Sequence, residues 1–379
     1  MRPSLLALST FAATVSATGL ALTQATTTLK PRATVCNGHA ELCDRSFGSV
    51  SFVGAHNSYA IGVNNAAVNQ GQSVMQQLND GIRMLQMQAH NENGVIRLCH
   101  SLCQGLLDGG SLEDYLKIVK QWMDANPNEV LSLLIVNIDN VPATAYDPIF
   151  KSVGLDTMSF APPSSPIPAS GWPTLGSMID SGKRLVTFLD NAADLTAVPY
   201  LIDEFTNIWE TEFNVLDPAF DCNVNRTKGD PATQMYLINH FLDTLLFGQP
   251  IPFIAKLNDT NAASGPGSLG AHVDTCVADH GRPPNFMLVD FYEFGGGSVF
   301  QVAATINGVT YNPSTPIAKP LPTDAVLTTT GGTGGSVTAP TAKTSTGSAP
   351  SQFTSFSANQ FYAILAALLS IFIGPLTLL

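Results

Sequence analysis

At 379 residues the chain has room for one large domain or two small ones. Charged residues make up only 12%, against roughly 25% in ordinary soluble domains, while 31 glycines and 25 prolines call for extensive loops. A formal net charge of −12, a pI near 4.8 and no basic cluster argue against nucleic acid as a partner and against tight electrostatic docking on anionic lipid.

The opening segment, MRPSLLALSTFAATVSATGLAL, has one early charge at Arg2 and then an apolar run of small residues. It reads as a secretory signal peptide over residues 1–25, cleaved between Ala17 and Ala25, with a short linker over 26–35. Ser and Thr interrupt the run, which weighs against a transmembrane anchor. The core then occupies residues 36–318. Within it SFVGAH, GIRMLQMQ, EVLSLLIVNI, KRLVTFLD, TNIWETEF, QMYLINHF and NFMLVDFY each have the length and apolar content of a strand. The clearest helix is SLEDYLKIVKQWMDANP. Ser111 and Asp114 form a capping pattern, Leu112, Tyr115, Leu116, Val119, Trp122 and Met123 recur at helical spacing, and Pro127 stops it. Residues 319–348 form a Ser/Thr/Gly/Pro-rich stalk too polar to pack. Residues 349–379 end in FYAILAALLSIFIGPLTLL. Small residues near Ser345–Ala349, a polar spacer and this apolar tail match a glycosylphosphatidylinositol-attachment signal, with a plain C-terminal membrane helix as the alternative. Either way the protein is expected outside the cell, at its surface and tethered to the membrane.

Six cysteines suit that compartment. They permit 15 full pairings; neighbour pairing of Cys36 with Cys43 and Cys99 with Cys103, leaving Cys222–Cys276 as a long staple, is the expectation. No C-x-x-C or paired-histidine spacing supports a zinc site instead. NRT at Asn225 and NDT at Asn258 are glycosylation acceptors.

Apolar strands alternating with helices predict a parallel sheet covered on both sides. With the residues available, the economical fold is an α/β barrel of TIM type. A doubly wound open sheet is the alternative, but no Gly-rich turn follows the first strand. Barrel chemistry sits where strands end, and alternation puts Phe52, Gly54 and His56 on one face. His56 therefore stands at the rim of the mouth. GVIRLCHS is a shorter apolar run that ends similarly in His100. Two neutral imidazoles there suggest a base and an acid on opposite sides of one reacting centre. A lone rim histidine more often bonds a loop carbonyl, so the pair needs a second signal.

That signal is a resemblance. GAHNSYA, GIRMLQMQ, LCHS, ANPNEVLSLLIVN and PNFMLVDFYEFGGG, in this order and across the core, resemble the phosphatidylinositol-specific phospholipase C X-domain superfamily. The likeness is closest to its secreted fungal and plant PLC-like phosphodiesterases. The resemblance implies a TIM-type barrel and a reaction in which a ring hydroxyl attacks the adjacent phosphodiester to give a cyclic phosphate. It implies His56 as base, His100 as acid on the leaving glycerol oxygen, and Asp290 as the carboxylate orienting His56. The substrate it implies is an inositol phospholipid or a glycan-linked phosphodiester.

Departures from the family pattern matter equally. Active relatives neutralise the phosphorane with a carboxylate-bound calcium ion or with an arginine on the second strand. Here those positions carry Gln86 and Gln88, with Asn57 and Asn137 where further ligands are expected. Such neutral amides would bind substrate; they would hold Ca²⁺ poorly, and Asp139 alone adds little. No cofactor is expected. Arg83 and Arg97 point away by strand parity, and Arg226, Lys228 and Arg282 lie on loops that could fold over the mouth. Asp190, Glu210 and Glu212, at strand ends, could accept sugar hydroxyls. Losing one oxyanion donor costs about 10²–10³ in rate, so turnover is expected to be slow or the substrate unusual. The alternatives are a catalytically weakened relative that binds headgroups or surface ligands without turnover, and a metal-dependent glycerophosphodiesterase, which would need a carboxylate cluster near His56.

Overall fold

The computed structural model describes residues 32–322 except 101, 102 and 106. The signal peptide, nearly all of the stalk and the attachment signal lie outside the described residues. The strands are β1 (Phe52–Ala55), β2 (Met84–Glu92), β3 (Val95–Cys99), β4 (Asp108–Ser111), β5 (Leu131–Asn137), β6 (Leu185–Leu189), β7 (Leu201–Asp203), β8 (Ile208–Glu210), β9 (Met235–Asn239), β10 (Asp243–Leu246), β11 (Gln249–Pro252) and β12 (Phe286–Val289). The α-helices are α1 (Val74–Asp80), α2 (Leu112–Ala125), α3 (Asp147–Val153), α4 (Leu175–Ser181), α5 (Glu204–Asn207), α6 (Leu257–Thr260), α7 (Leu269–His280) and α8 (Ser298–Asn307).

Eight strands pair in parallel in the order β7-β6-β5-β2-β1-β12-β9-β8. This is the curled sheet of a TIM-type barrel, left open between β7 and β8. Parallel neighbours need a crossover of a dozen or more residues, and only the four residues of α5 separate these two strands. Two additions sit at strand ends. β3 and β4 extend antiparallel from β2, and β10–β11 form a separate hairpin. The very short β7 and the strands of these two additions carry too few apolar alternations to stand out in the sequence, apart from the run in β3.

Alternation divides each barrel strand between two cores. Phe52, Met84, Leu134, Val186, Phe188, Leu237, Phe286 and Leu288 fill the interior. Val53, Leu85, Met87, Leu133, Ile135, Met287 and Val289 face the helices. α2 begins as its pattern predicts: the Ser111 side chain accepts from the Asp114 backbone, and all six apolar positions are buried. Arg184, just before β6, donates to the carbonyls of Met123, Asn126 and Glu129, tying the end of α2 and the turn after it to the barrel. Three disulfides join Cys36–Cys43, Cys99–Cys103 and Cys222–Cys276.

Gly54 is the close-packed point beneath the mouth. A Cβ there would lie 2.5 Å from Leu288 Cδ2 and 3.2 Å from Met84 Cβ. Gly54→Val is therefore expected to destabilise the protein by about 1–3 kcal/mol through overpacking. The check is a lowered urea midpoint at unchanged slope.

Candidate active site

Strand register builds the site. β1 and β12 align Ala55 with Val289, and β1 and β2 align Ala55 with Leu85. One step further, His56 lies between Gln86 and Asp290 in the same layer. The β12–β9 register, with Leu288 opposite Asn239, extends that layer to Phe241. Adjacent strands are about 4.8 Å apart, so same-face side chains in one layer touch. His56 Nδ1 lies 2.9 Å from Asp290 Oδ1, and the Phe241 ring stacks on the imidazole at 3.9 Å and 2°.

A closed set of hydrogen bonds fixes the imidazole. Asn69 Nδ2 donates to Asp290 Oδ2 (3.1 Å), and Asn57 Nδ2 donates to both Asn69 Oδ1 (3.1 Å) and His56 Nε2 (3.1 Å). With Nδ1–H donating to the carboxylate, Nε2 is the acceptor nitrogen, and its lone pair is taken here by Asn57 Nδ2. Asn57 holds its place through an unusual backbone (φ 41°) and an N–H bond to Gln86 Oε1 of 2.6 Å. The neighbouring Gln70 amide braces the backbone by donating to the carbonyls of His56 and Val289. Asn69, Gln70 and Phe241 escaped the sequence reading. The first two come from a loop with no strand or helix pattern, and Phe241 lies past the end of its strand.

His100 arrives by a different route. β3 folds back antiparallel along β2, pairing Leu98 with Ala89, and His100 follows its last residue, Cys99. Burial pushes the imidazole down to about 4, and the nearby charge of His56 pushes in the same direction. Asp243 lies two residues past Phe241: burial pushes its carboxyl up to about 7, Asp290 adds to the rise, and His56 opposes it.

The other candidates separate. Gln86 and Gln88 alternate with Leu85, Met87 and Ala89 on β2 and so face the barrel interior. Asn137 lies on the helix-facing side of β5 with Leu133 and Ile135, and Val136 takes the interior position. Its amide is consumed by Val141, Asn191 and Tyr146. It is a loop clamp, turned from the mouth by the strand period of two. Arg97 pairs with Asp108 and Arg83 with Glu129, both away from the recess. Arg282 stacks on Tyr236 and bonds carbonyls near the start of β9. Arg226 does reach the mouth, where it bonds buried Glu210 between the rings of Phe205 and Phe213. Lys228 pairs with Asp203. Asp190 and Glu204 complete this far wall. Burial raises both carboxyls, and Glu204 is raised further by Glu210, to which it is hydrogen-bonded. His240 and His272 bond each other and the carbonyls of Thr260 and Asp221, whereas His90 faces Asp139.

The donor set fits a hard dication poorly. Gln86 Oε1 already accepts a backbone N–H, and the Asn137 amide faces elsewhere. Asp139 accepts from the Asn91 backbone and faces His90. Among the described residues, the one group of three metal-type side chains within ligand reach is Cys222, His272 and Cys276, and its cysteines are disulfide-bonded.

Asp243 allows a test of the site's electrostatics. Its carboxyl keeps its proton up to about 7 in the folded protein and loses it near 3.9 when unfolded. The folded state thus binds more protons between these values, and stability drains as pH rises through them. Asp243→Asn is expected to gain about 1–3 kcal/mol over the parent at pH 8 and almost nothing at pH 4. Urea unfolding at both pH values measures the difference.

Comparison with known proteins follows the geometry. The PI-PLC X family model matches residues 42–307. A protein of Arthroderma benhamiae called an uncharacterized secreted protein is 48% identical over 287 residues, covering 73% of this chain and 65% of its own length. The chain thus spans just under two-thirds of that relative. A PI-PLC X domain-containing protein 1 of the same organism is 45% identical over 279 residues, covering 73% of this chain and 90% of its own. Among solved structures, a phosphatidylinositol-specific phospholipase C from Listeria monocytogenes aligns with TM-score 0.48 and 15% identity, over 69% of this chain and 94% of its own. With its family match spanning most of the barrel and a relative this similar over nearly its full length, the chain belongs to the PI-PLC X domain family.

Proposed function

We propose that the protein is an extracellular phosphodiesterase of phospholipase C type, acting on an inositol phospholipid or a glycan-linked relative without a metal ion. His56 Nε2 takes the proton from a ring hydroxyl beside the phosphodiester. That oxygen attacks phosphorus, and His100 protonates the departing glycerol oxygen, leaving a cyclic phosphate. The observation that carries this reading is the His56–Asp290 contact, which makes Nε2 the basic nitrogen once a substrate hydroxyl takes the place of Asn57 Nδ2 there. Among the described residues, no three carboxylates bring their oxygens within ligand reach of one another, which favours the metal-free course. The Asp190–Glu204–Glu210 wall, opposite the histidines around the sheet, suits the remaining sugar hydroxyls. The secreted relative supports an extracellular location, and the C-terminal tail would tether the enzyme to the membrane that carries its substrate.

Two chemical consequences follow from the site's charges. Neutral Gln86 and Gln88 leave the phosphorane without a full countercharge from β2, so turnover is slow. His100, held down to about 4, is neutral in the empty site at pH 7; a phosphodiester anion between the rings favours its protonated form. Above that value the acid form falls tenfold per pH unit, which places the optimum on the acidic side of neutrality.

Incubation of the secreted protein with phosphatidylinositol, followed by ³¹P NMR, is expected to show cyclic inositol phosphate with and without EDTA, faster at pH 5.5 than at pH 8. His56→Ala and His100→Ala should each lower the rate by about 10²–10⁴. Binding of the lipid without product, with calcium added, would instead establish a headgroup-binding relative.

A further inference from the structure

Among the described residues, one buried carboxyl has neither a cation nor a side-chain donor beside it. Glu293, in the turn after β12, is 1% exposed, and neither Oε1 nor Oε2 accepts a well-formed hydrogen bond. Burial pushes this carboxyl up to about 7; the backbone N–H groups of Glu293 and Gly71 pull the other way, and the charge of Asp80 adds to the rise. Buried polar side chains are nearly always hydrogen-bonded, and leaving a charged one unpaired is costly.

Glu293 lines a cleft of about 570 Å³ between this turn and the chain that follows α8. Its walls include Tyr311, Pro313, Pro316 and Ile317 on one side and the bare backbone of Gly295 and Gly296 on the other. Hydrogen bonds fix the cleft in place. Asp80, at the end of α1, accepts from the Tyr292 hydroxyl (2.6 Å) and from the backbone N–H of Ala318 (3.0 Å), and Gln72 donates to the Lys319 carbonyl (2.9 Å). Gln76 donates to the other Asp80 oxygen. Asp80 is thus fully engaged, whereas Glu293 is not. Lys319 also lines the cleft, but its ammonium makes no hydrogen bond to Glu293.

Charge and donor count identify the missing partner. Glu293 and Asp80 make the floor negative, which repels an anion. A hard dication needs several free oxygens, and both Asp80 oxygens are taken. Two open oxygens on one carboxyl call for a cation that carries N–H donors: an ammonium, or a guanidinium that bonds both at once. The proline and tyrosine walls suit a short hydrocarbon stem behind it.

We propose that this cleft is a binding site for a small organic cation bearing N–H donors, seated on the Glu293 carboxylate. The site needs none of the chemistry assigned to the two histidines, although it adjoins their support. A Cβ at Gly71 would collide with Glu293 Oε1. The two residues before Gly71 are Asn69, which bonds Asp290, and Gln70, which braces the His56 carbonyl.

The test titrates the full chain with propylguanidinium and propylammonium, followed by saturation-transfer NMR. Tetramethylammonium, a cation without N–H donors, and propionate are the controls. At pH 8 the two donor-bearing cations should bind with a Kd of about 1–10 mM, and the controls at least about 10-fold more weakly. From pH 8 to pH 5 affinity should fall by about 10²-fold, as the carboxyl takes up its proton near 7. Asp80, Tyr292, Tyr311 and Lys319 are the other titratable groups around Glu293, and burial holds both tyrosines up, neutral across this range. Glu293→Gln, which keeps the shape of the side chain, should lose about 10-fold or more in affinity and all of the pH dependence. No binding at pH 8, equal binding of either control, a flat pH profile or indifference to Glu293→Gln would each overturn the site. So would binding that appears only in Lys319→Ala, because the chain's own ammonium would then be the occupant. The probe series and the pH profile need no variant, and they decide the matter if Glu293→Gln fails to fold.

Discussion

The alignment of β1 against β12 is the constraint on which the site depends. Parallel strands in this register end level, with Ala55 opposite Val289, and the next residues on the interior face are an imidazole and a carboxylate. Asp290 is only 1% exposed, and a buried carboxylate without partners is strongly destabilising. Here both of its oxygens are satisfied, one by His56 and one by Asn69. A slip of one residue would send His56 toward the helices and leave the carboxylate alone. The packing of Gly54 against Leu288 and Met84 leaves little room for such a slip. The interaction that orients the base thus also penalises misalignment of the sheet.

Around this row the mouth divides electrostatically. One side carries the histidines, Asp290 and the interior amides of β2. The other carries Asp190, Glu204 and Glu210, with Arg226 bound to the last. Burial, and the neighbouring Glu210 carboxyl, raise the Glu204 carboxyl above its ordinary range. On the other side His56 is fixed by hydrogen bonds to Asp290 and Asn57 and by the ring of Phe241.

Much of this was legible in residue order. β1, β2, β5, β6, β9 and β12 announced themselves because barrel strands are apolar on both faces. α2 did so through its cap and heptad-like spacing. The parity that places Phe52, Gly54 and His56 on one face also predicted that Arg83 and Arg97 point away, and their partners Glu129 and Asp108 lie outside the recess. Parity applied to Asn137 would have turned it outward as well. The family pattern drew it toward the site, and the strand's period of two decided otherwise. Arg226 was placed on a loop that could cover the mouth; that it is bound to Glu210 depends on a contact sixteen positions apart, which no local pattern carries.

The sequence by itself determined the class of fold, the rim position of His56 and membership of a recognisable family, because those are written in local periodicity and short motifs. Tertiary structure alone decided which nitrogen of His56 is basic, that Asn69 and Phe241 hold it, and that the barrel remains open between β7 and β8. The reason is physical: tautomer, stacking and closure depend on register between strands far apart in the chain. Register is settled by the packing of whole faces against one another, and no single segment contains it.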